Sequence, residues 1–328
     1  MKAVLCNEYG PPECLRVDVI PAPVCSHPQS VRIKVHAAGV NFPDILNVAG
    51  QYQTKLPLPF CPGLEVAGEV LEVGSGVRSV SVGQRVTART GGAGGFAEEV
   101  VTHEDLVCDI PDSMTFAQGA TFPVTYGTAY HALVDRARLQ AGEWVLIHGA
   151  GGGVGLSAVE ISNALGGKVI AAAGSKEKLS VALEHGAREA INYLEVPKFR
   201  DLVKGITGTD GADVIFDPVG GDIFDESLRC INWRGRLLAV GFATGRIPQC
   251  PVNMILLKGC DVMGIFMGAF STREPLKNKE NLRTLLSMVE RHILQPYVSK
   301  IFSINEVPNA MRSLMTRNVV GKVVIQIN

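Results

Sequence analysis

The spacing of hydrophobic and polar positions changes near the middle of the chain. Up to about residue 110, short stretches alternate between apolar and polar residues, as at residues 31–36 and 66–73, and proline or glycine separates them. This spacing predicts an irregular β-rich module. From Glu143 onward, apolar strands alternate with amphipathic helices, which indicates a parallel sheet with helical crossovers.

The second region is predicted to contain several strands with helices between them. The helix after the first strand ends at Gly166 and Gly167. Ser175 is predicted to cap the next helix, whose apolar face includes Leu183. A later helix is predicted to place Ile231 on its apolar side. The strands are predicted at residues 144–148, 169–173, 213–216, 236–240 and 260–266.

The C-terminal region returns to the first module. Residues 282–289 have the apolar spacing of an amphipathic helix, and residues 322–327 predict a terminal strand that could join the β-rich module. We therefore predict two domains. Residues 1–125 with 268–328 form one, and residues 126–267 form the other.

Composition and charge indicate the number of domains and exclude some binding partners. Hydrophobic residues make up 46% of the 328, which is enough for large cores in about two domains. The 31 basic and 32 acidic residues give a net charge of -1, so no basic field favours nucleic acid. Polar residues interrupt the most apolar region, residues 144–173, and no N-terminal block of Lys and Arg precedes a long apolar stretch. We expect a soluble, cytoplasmic protein that does not bind a membrane.

The eight cysteines are scattered along the chain. None forms a Cys-x2-Cys pair, and no histidine stands beside one at metal-ligand spacing. Reduced thiols in a cytosolic protein are the simplest interpretation.

A glycine-rich segment at residues 149–155 lies between a predicted buried strand and a predicted helix. This is the setting of a dinucleotide-binding turn, in which small residues let helix N-terminal amides approach a pyrophosphate. Ala150 stands where the usual pattern has its first glycine. A purely structural turn is the alternative. The strand-turn-helix setting favours dinucleotide binding and a Rossmann domain with a doubly wound parallel sheet.

The end of the second strand bears on the choice of dinucleotide. NAD-preferring proteins place a carboxylate there, whereas this chain has Gly174, followed by Ser175 and Lys178. A ribose 2′-phosphate would meet a hydroxyl, a helix N-terminus and an ammonium group, so NADPH is predicted. The alternative is that the lysines form a solvated first helical turn. Tyr193 is placed to cover the adenine or phosphate side.

Several motifs together resemble the zinc-free quinone oxidoreductases related to zeta-crystallin, within the medium-chain dehydrogenase/reductase superfamily. The resemblance covers the whole chain, and it implies a GroES-like irregular β-barrel domain beside the Rossmann domain. The motifs are MKAV at residues 1–4, AGVNFPD at 38–44, PGLEVAG at 62–68, YGTAY at 126–130, the glycine-rich segment, FDPVGG at 216–221 and GKV at 321–323.

The zinc ligands of dehydrogenases in this superfamily are missing. Asn41 stands where those enzymes have a cysteine, and Leu64 where they have a histidine. Neither side chain can replace a thiolate or an imidazole on zinc. Residues 89–96 are glycine-rich and contain no cysteine, so the structural zinc loop is absent too. Both metal sites are predicted to be empty, which makes alcohol dehydrogenation unfavourable.

The resemblance implies that Asn41, Asp44, Tyr52 and Thr128 lie beside the nicotinamide. Alternatives remain for two of them, since Tyr52 could be an aromatic residue at the rim and Asp44 could cap a helix. Glu65 could be held in a structural ion pair. The resemblance also implies cofactor contacts from Gly152, Gly153, Val154, Gly174, Ser175, Lys178, Tyr193, Gly241, Phe242, Ala243, Gly264, Ile265, Phe266 and Asn318.

These features predict NADPH-dependent hydride transfer to a quinone. Two other functions remain open. One is reduction of an enone or enoyl thioester, and the other is a non-catalytic, crystallin-like role with bound NADPH. The resemblance also implies a homodimer, with residues 260–266 pairing at the edge of the cofactor sheet.

Overall fold

The computed structural model describes residues 1–327. Its strands, in chain order, are β1 (Lys2–Leu5), β2 (Arg16–Val19), β3 (Ser30–Val40), β4 (Glu65–Val73), β5 (Arg85–Arg89), β6 (Glu99–His103), β7 (Val107–Asp109), β8 (Trp144–His148), β9 (Lys168–Ala173), β10 (Glu189–Asn192), β11 (Ala212–Asp217), β12 (Ile231–Ala239), β13 (Asp261–Gly264), β14 (Val298–Ser303) and β15 (Lys322–Gln326).

The helices vary from one turn to more than four. They are α1 (Phe42–Val48), α2 (Phe116–Gly119), α3 (Phe122–Tyr130), α4 (Gly153–Ala164), α5 (Lys176–Glu184), α6 (Arg200–Thr207), α7 (Asp222–Ser227), α8 (Val252–Lys258), α9 (Met267–Arg273), α10 (Pro275–Glu290) and α11 (Val307–Met315). Three short 3-10 turns and a π-helix at His131–Arg136 complete the regular structure of these residues.

The chain divides into two compact units. One comprises Met1–Val124 and the segment from Phe270 onward, and the other comprises Thr125–Ala269. The predicted boundaries, after residues 125 and 267, lie one and two residues from these limits. The separate roles of the two domains remain a prediction.

The first unit is built on a seven-stranded sheet. Six strands follow the order β14-β15-β3-β4-β5-β7, and β6 pairs with β3. The long strand β3 buries alternate residues, including Val31, Ile33 and Val35, because antiparallel pairing on both sides places one of its faces in the core. The predicted terminal strand is confirmed as β15, which pairs antiparallel with β3. This is the GroES-like domain.

The second unit is a six-stranded parallel sheet with the order β10-β9-β8-β11-β12-β13. Numbered within the unit, this is the order 3-2-1-4-5-6 of a doubly wound Rossmann sheet, in which ligands bind where the order reverses. That point lies between the carboxyl ends of β8 and β11. The central strand β8 is buried from Val145 to His148 because both faces of a parallel sheet are covered. The predicted fold class is confirmed.

Three local predictions are wrong in detail. Ile231 is the first residue of β12 and not part of a helix, because it pairs with Ala212 of β11. Leu183 is 44% exposed, so the apolar face of α5 is limited to Leu179 and Ala182. The last strand of the sheet is shorter than predicted and covers Asp261–Gly264. Among residues 1–327, no helix has the length and apolar character needed to cross a membrane.

Candidate functional site

The turn after β8 leads directly into α4. The amide of Gly152 donates a 2.8 Å hydrogen bond to the carbonyl oxygen of Gly149, which closes the turn. Gly152 is then the N-cap of α4, in extended conformation and without a side-chain cap. The amides of Gly153 and Val154 lie in the first helical turn, where intrahelical acceptors are missing. Together with the helix dipole, they make this end of α4 favourable for a phosphate group.

Two glycines of this turn are required by close contacts. A Cβ on Gly155 would lie 2.1 Å from the carbonyl oxygen of Gly149, so only glycine lets the helix start so near the strand. A Cβ on Gly151 would lie 2.4 Å from the Cβ of Lys178. The side chain of Lys178 therefore packs directly on the glycine-rich turn.

The turn after β9 lies beside the glycine-rich turn. Ser175 is the N-cap of α5, as predicted, and its Oγ accepts a 3.3 Å hydrogen bond from the amide of Lys178. A Cβ on Gly174 would lie 3.3 Å from Cε2 of Tyr193, so the tyrosine ring packs against this glycine. Two helix N-termini, a hydroxyl, a lysine and an aromatic ring thus lie at adjoining strand ends. These residues fit the phosphates and base of a dinucleotide.

The remaining strands of the sheet end in turns that contact one another. Asp217, at the end of β11, accepts hydrogen bonds from the amides of Val219 and Gly220 over 2.8 and 2.9 Å. Burial raises the pKa of Asp217 to about 6. After β12, the amides of Gly241 and Ala243 donate to the carbonyl oxygens of Asp217 and Pro218. Phe242 belongs to the same turn, and its ring lies beside Gly220, where a Cβ would be 2.9 Å from Cδ1.

The remaining residues predicted to lie beside the nicotinamide or to contact the cofactor are at the end of β13, within α3 and after α11. The amide of Ile265 donates to the carbonyl oxygen of Ala239 over 3.0 Å, and Gly264 precedes it at the end of β13. Phe266 is 50% exposed. Thr128 is buried within α3. Asn318 is exposed after α11, in the other unit.

A buried polar cluster lies in the first unit, and we call Asn41, Glu65 and Lys322 the Glu65 cluster. Oε1 of Glu65 accepts from Nδ2 of Asn41 over 2.8 Å and from Nζ of Lys322 over 2.9 Å. Oε2 accepts from the amide of Val124 over 2.8 Å. Lys322 also donates to Oδ1 of Asn41 over 2.7 Å. The ion pair predicted for Glu65 is confirmed, and it fixes the amide of Asn41 at both ends.

Asp44 performs the helix-capping role that the sequence left as an alternative. Its carboxylate accepts from the amide of Asn41, the N-cap of α1, over 2.8 Å and from the amide of Gly63 over 3.2 Å. The side chain is completely buried. Burial raises the pKa of Asp44 to about 7, although these two hydrogen bonds and Lys322 act in the opposite direction.

This raised pKa makes stability depend on pH. Between pH about 4, the ordinary carboxyl value, and about 7, the folded protein holds the Asp44 proton while the unfolded chain has lost it. We therefore expect Asp44 to lower the free energy of unfolding as the pH rises through this range. Urea unfolding of the wild type and of Asp44→Asn, repeated across the range, measures the effect. The difference between the two curves isolates Asp44, because Asp217 and His148 titrate in both proteins. Parallel curves would contradict the prediction.

Tyr52 and Arg89 lie close to the Glu65 cluster. Burial raises the pKa of Tyr52, while the charge of Arg89 lowers it and that of Asp44 raises it. Burial lowers the pKa of Arg89, which Glu65 and Tyr52 partly offset. Sequence patterns did not identify Arg89 or Lys322 as parts of a site. The one available signal was a charged residue at the end of a strand with buried positions, at Arg89 in β5 and at Lys322 in β15.

Two histidines of the second unit lie in structural positions. Nε2 of His148 lies 2.8 Å from Oγ of Ser227, and burial lowers the pKa of His148 to about 3. It is thus neutral and held in the core. Nδ1 of His131 lies 3.0 Å from the carboxylate of Asp135 within the π-helix.

Comparisons with known proteins agree with this architecture. Residues 153–290 match the family described as zinc-binding dehydrogenase, and residues 27–112 match the alcohol dehydrogenase GroES-like domain. The chain is 42% identical to the quinone oxidoreductase-like protein 2 homolog of Nematostella vectensis, over 99% of this chain and 88% of that protein. It is 33% identical to the quinone oxidoreductase of Homo sapiens, over 96% and 94% of the two chains.

Two solved structures extend the comparison. Escherichia coli quinone oxidoreductase complexed with NADPH superposes with a TM-score of 0.90 at 27% identity, covering 100% of both chains. A mycobacterial protein complexed with NADPH gives a TM-score of 0.93 at 30% identity, again over 100% of both chains.

Proposed function

Because this chain belongs to the quinone oxidoreductase family of the medium-chain dehydrogenase/reductase superfamily, we propose that it is an NADPH-dependent, zinc-independent quinone reductase. The observation that carries the proposal is the packing of Lys178 on Gly151 of the dinucleotide turn. Bound NADPH would supply a hydride. The protein would bind its phosphates through the amides at the start of α4 and through Ser175 and Lys178.

The composition of the Glu65 cluster supports a reaction without zinc. Among residues 1–327, no three His, Cys, Asp or Glu side chains come close enough together to hold a metal ion. At the positions of the zinc ligands, Asn41 accepts from the ammonium of Lys322, and Leu64 is buried. A cluster that already contains a lysine ammonium is a poor place for a second cation. The acceptor must therefore be electrophilic by itself, as a quinone is.

Side-by-side turnover tests the proposed reaction. The purified chain is given NADPH with ortho- and para-quinones, with an α,β-unsaturated ketone and with a crotonyl thioester. We expect NADPH oxidation to be fastest with a quinone. Preference for the enone or thioester would favour the alkene reductase alternative, since the same hydride can attack a conjugated alkene. NADPH binding without oxidation by any acceptor would favour a non-catalytic role, and absence of binding would refute the proposal.

Lys178→Ala tests the choice of cofactor. Removing the ammonium should weaken NADPH binding by roughly ten- to hundredfold, because hydrogen bonds to charged groups contribute about 1.5–3 kcal/mol. The affinity for NADH should not change, since NADH has no ribose phosphate. Nucleotide fluorescence titration measures both affinities. Lys198→Ala is the control, because Lys198 is exposed in the same unit. Unchanged NADPH affinity in Lys178→Ala would refute the role of this lysine.

Two further properties belong to this proposal. The strand β13 lies at the edge of the parallel sheet, which supports a homodimer formed by edge pairing. The second is a cytoplasmic location, which the eight free cysteines support. Size-exclusion chromatography with light scattering would test the dimer directly.

A further inference from the structure

One nitrogen of the Arg89 guanidinium lacks a hydrogen-bond partner within the described chain. This nitrogen is Nη1, which is buried and makes no hydrogen bond among residues 1–327. Taking a charged donor out of water without a compensating acceptor is unfavourable. The residue as a whole is only partly buried. The position therefore needs an acceptor from outside the chain.

The carboxylate of Glu65 is already engaged by other donors. Glu65 lies directly opposite Arg89 in the antiparallel pair of β4 and β5. Its two oxygens already accept hydrogen bonds from Asn41, Lys322 and the amide of Val124. The positive charge of Lys322 offsets the negative charge of Glu65. The positive charge of Arg89 therefore needs a negative group other than Glu65 to neutralise it.

Another arginine on the same strand has a guanidinium group whose hydrogen-bond acceptors are supplied by the protein. Arg85 donates to the carbonyl oxygens of Pro111 and Asp112 over 3.2 and 3.3 Å. It also lies over the ring of Phe116, 4.8 Å from the centroid. Arg85 holds the protein together, whereas Arg89 contributes no such contact.

From this contrast we propose that Arg89 binds the acceptor oxygen that becomes negatively charged during reduction. The ligand class is a conjugated carbonyl compound whose reduced form is a phenolate or enolate. This inference rests on the proposed function. When the acceptor takes a hydride from NADPH, which is oxidised to NADP⁺, the electron pair moves onto this oxygen, and a proton from solvent completes the hydroquinone. A guanidinium stabilises the charged oxygen more than the neutral carbonyl.

Binding of a stable anion provides a test that does not depend on turnover. The probes are para-nitrophenolate, at a pH where it is fully ionised, and its neutral methyl ether, para-nitroanisole. Both are titrated calorimetrically into the full-length chain in the presence of NADP⁺. We expect the wild type to bind the phenolate roughly tenfold more tightly than the ether, as one charge-assisted hydrogen bond provides. Arg89→Met should remove this preference, and Arg85→Met should keep it.

Turnover provides the second readout. Arg89→Met should lower kcat with a quinone by about a hundredfold, the effect of removing one oxyanion donor. Circular dichroism shows whether each variant folds. A wild type that binds both probes equally, or an Arg89→Met variant that keeps the preference, would overturn the proposal and leave Arg89 with ordered water as its partner. If the wild type oxidised NADPH with no quinone, the proposed function would fail, while the phenolate titration would still decide the role of Arg89.

Discussion

Lys322→Met is expected to lower the free energy of unfolding by about 3–5 kcal/mol, because it leaves a buried carboxylate without its cation. The carboxylate of Glu65 is completely buried, and the ammonium of Lys322 lies 2.9 Å from its Oε1. The remaining donors to Glu65 are the amide groups of Asn41 and Val124, which are neutral. Urea unfolding at neutral pH measures the loss.

A double-mutant cycle identifies the ion pair as the cause. Glu65→Gln in the Lys322→Met background removes the uncompensated charge, so the double variant should be more stable than the sum of the two single losses predicts. Additive losses would show that the lysine acts through its packing alone. Lys300→Met on the neighbouring strand β14 is the control, because that lysine is exposed.

Gly155→Ala is expected to weaken NADPH binding by roughly ten- to hundredfold. The new Cβ would lie 2.1 Å from the carbonyl oxygen and 2.7 Å from the carbonyl carbon of Gly149, and backbone atoms cannot move aside as a flexible side chain can. The start of α4 must shift away from the turn. Loss of one charge-assisted hydrogen bond to a phosphate costs about 1.5–3 kcal/mol, which corresponds to roughly ten- to hundredfold weaker binding.

The same change elsewhere in the unit provides the control for Gly155→Ala. Gly205 lies within α6, and a Cβ there would meet no atom within 4 Å. Gly205→Ala should therefore raise stability by about 0.5–1 kcal/mol and leave NADPH binding unchanged. Fluorescence titration with NADPH and thermal unfolding measure the two effects. Wild-type affinity in Gly155→Ala would contradict the proposed phosphate site.

Much of the fold could be predicted because each element has its own sequence period. The parallel strand β8 was predicted with its observed bounds, since an apolar run between a turn and a glycine-rich segment has few other interpretations. The end of α7 could not be predicted. Phe224, Leu228 and Ile231 have helical spacing, and only the pairing of Ile231 with Ala212 assigns that residue to a strand.

The glycine-rich turn and the Glu65 cluster differ in how much of each could be predicted from the sequence. The glycine-rich turn and Ser175 were identifiable because their functions depend on local backbone geometry. The ion pair of Lys322 with Glu65 joins residues 257 positions apart, and the proximity of Arg89 to Glu65 depends on strand register. No local pattern carries such information. The resemblance supplied the position of Glu65, and the structure supplied its partner.

The position of β15 inside its sheet, between β14 and β3, determines when the first unit can finish folding during synthesis. Its partner β3 ends at Val40, whereas β15 begins at Lys322, so the ribosome must make nearly the whole chain before the two strands can pair. The unit Thr125–Ala269 is contiguous, and all six of its strands are complete earlier. Nascent chains usually fold from the N-terminus. Here we expect the middle of the chain to fold first. The N-terminal segment can complete its sheet only after β15 has left the exit tunnel.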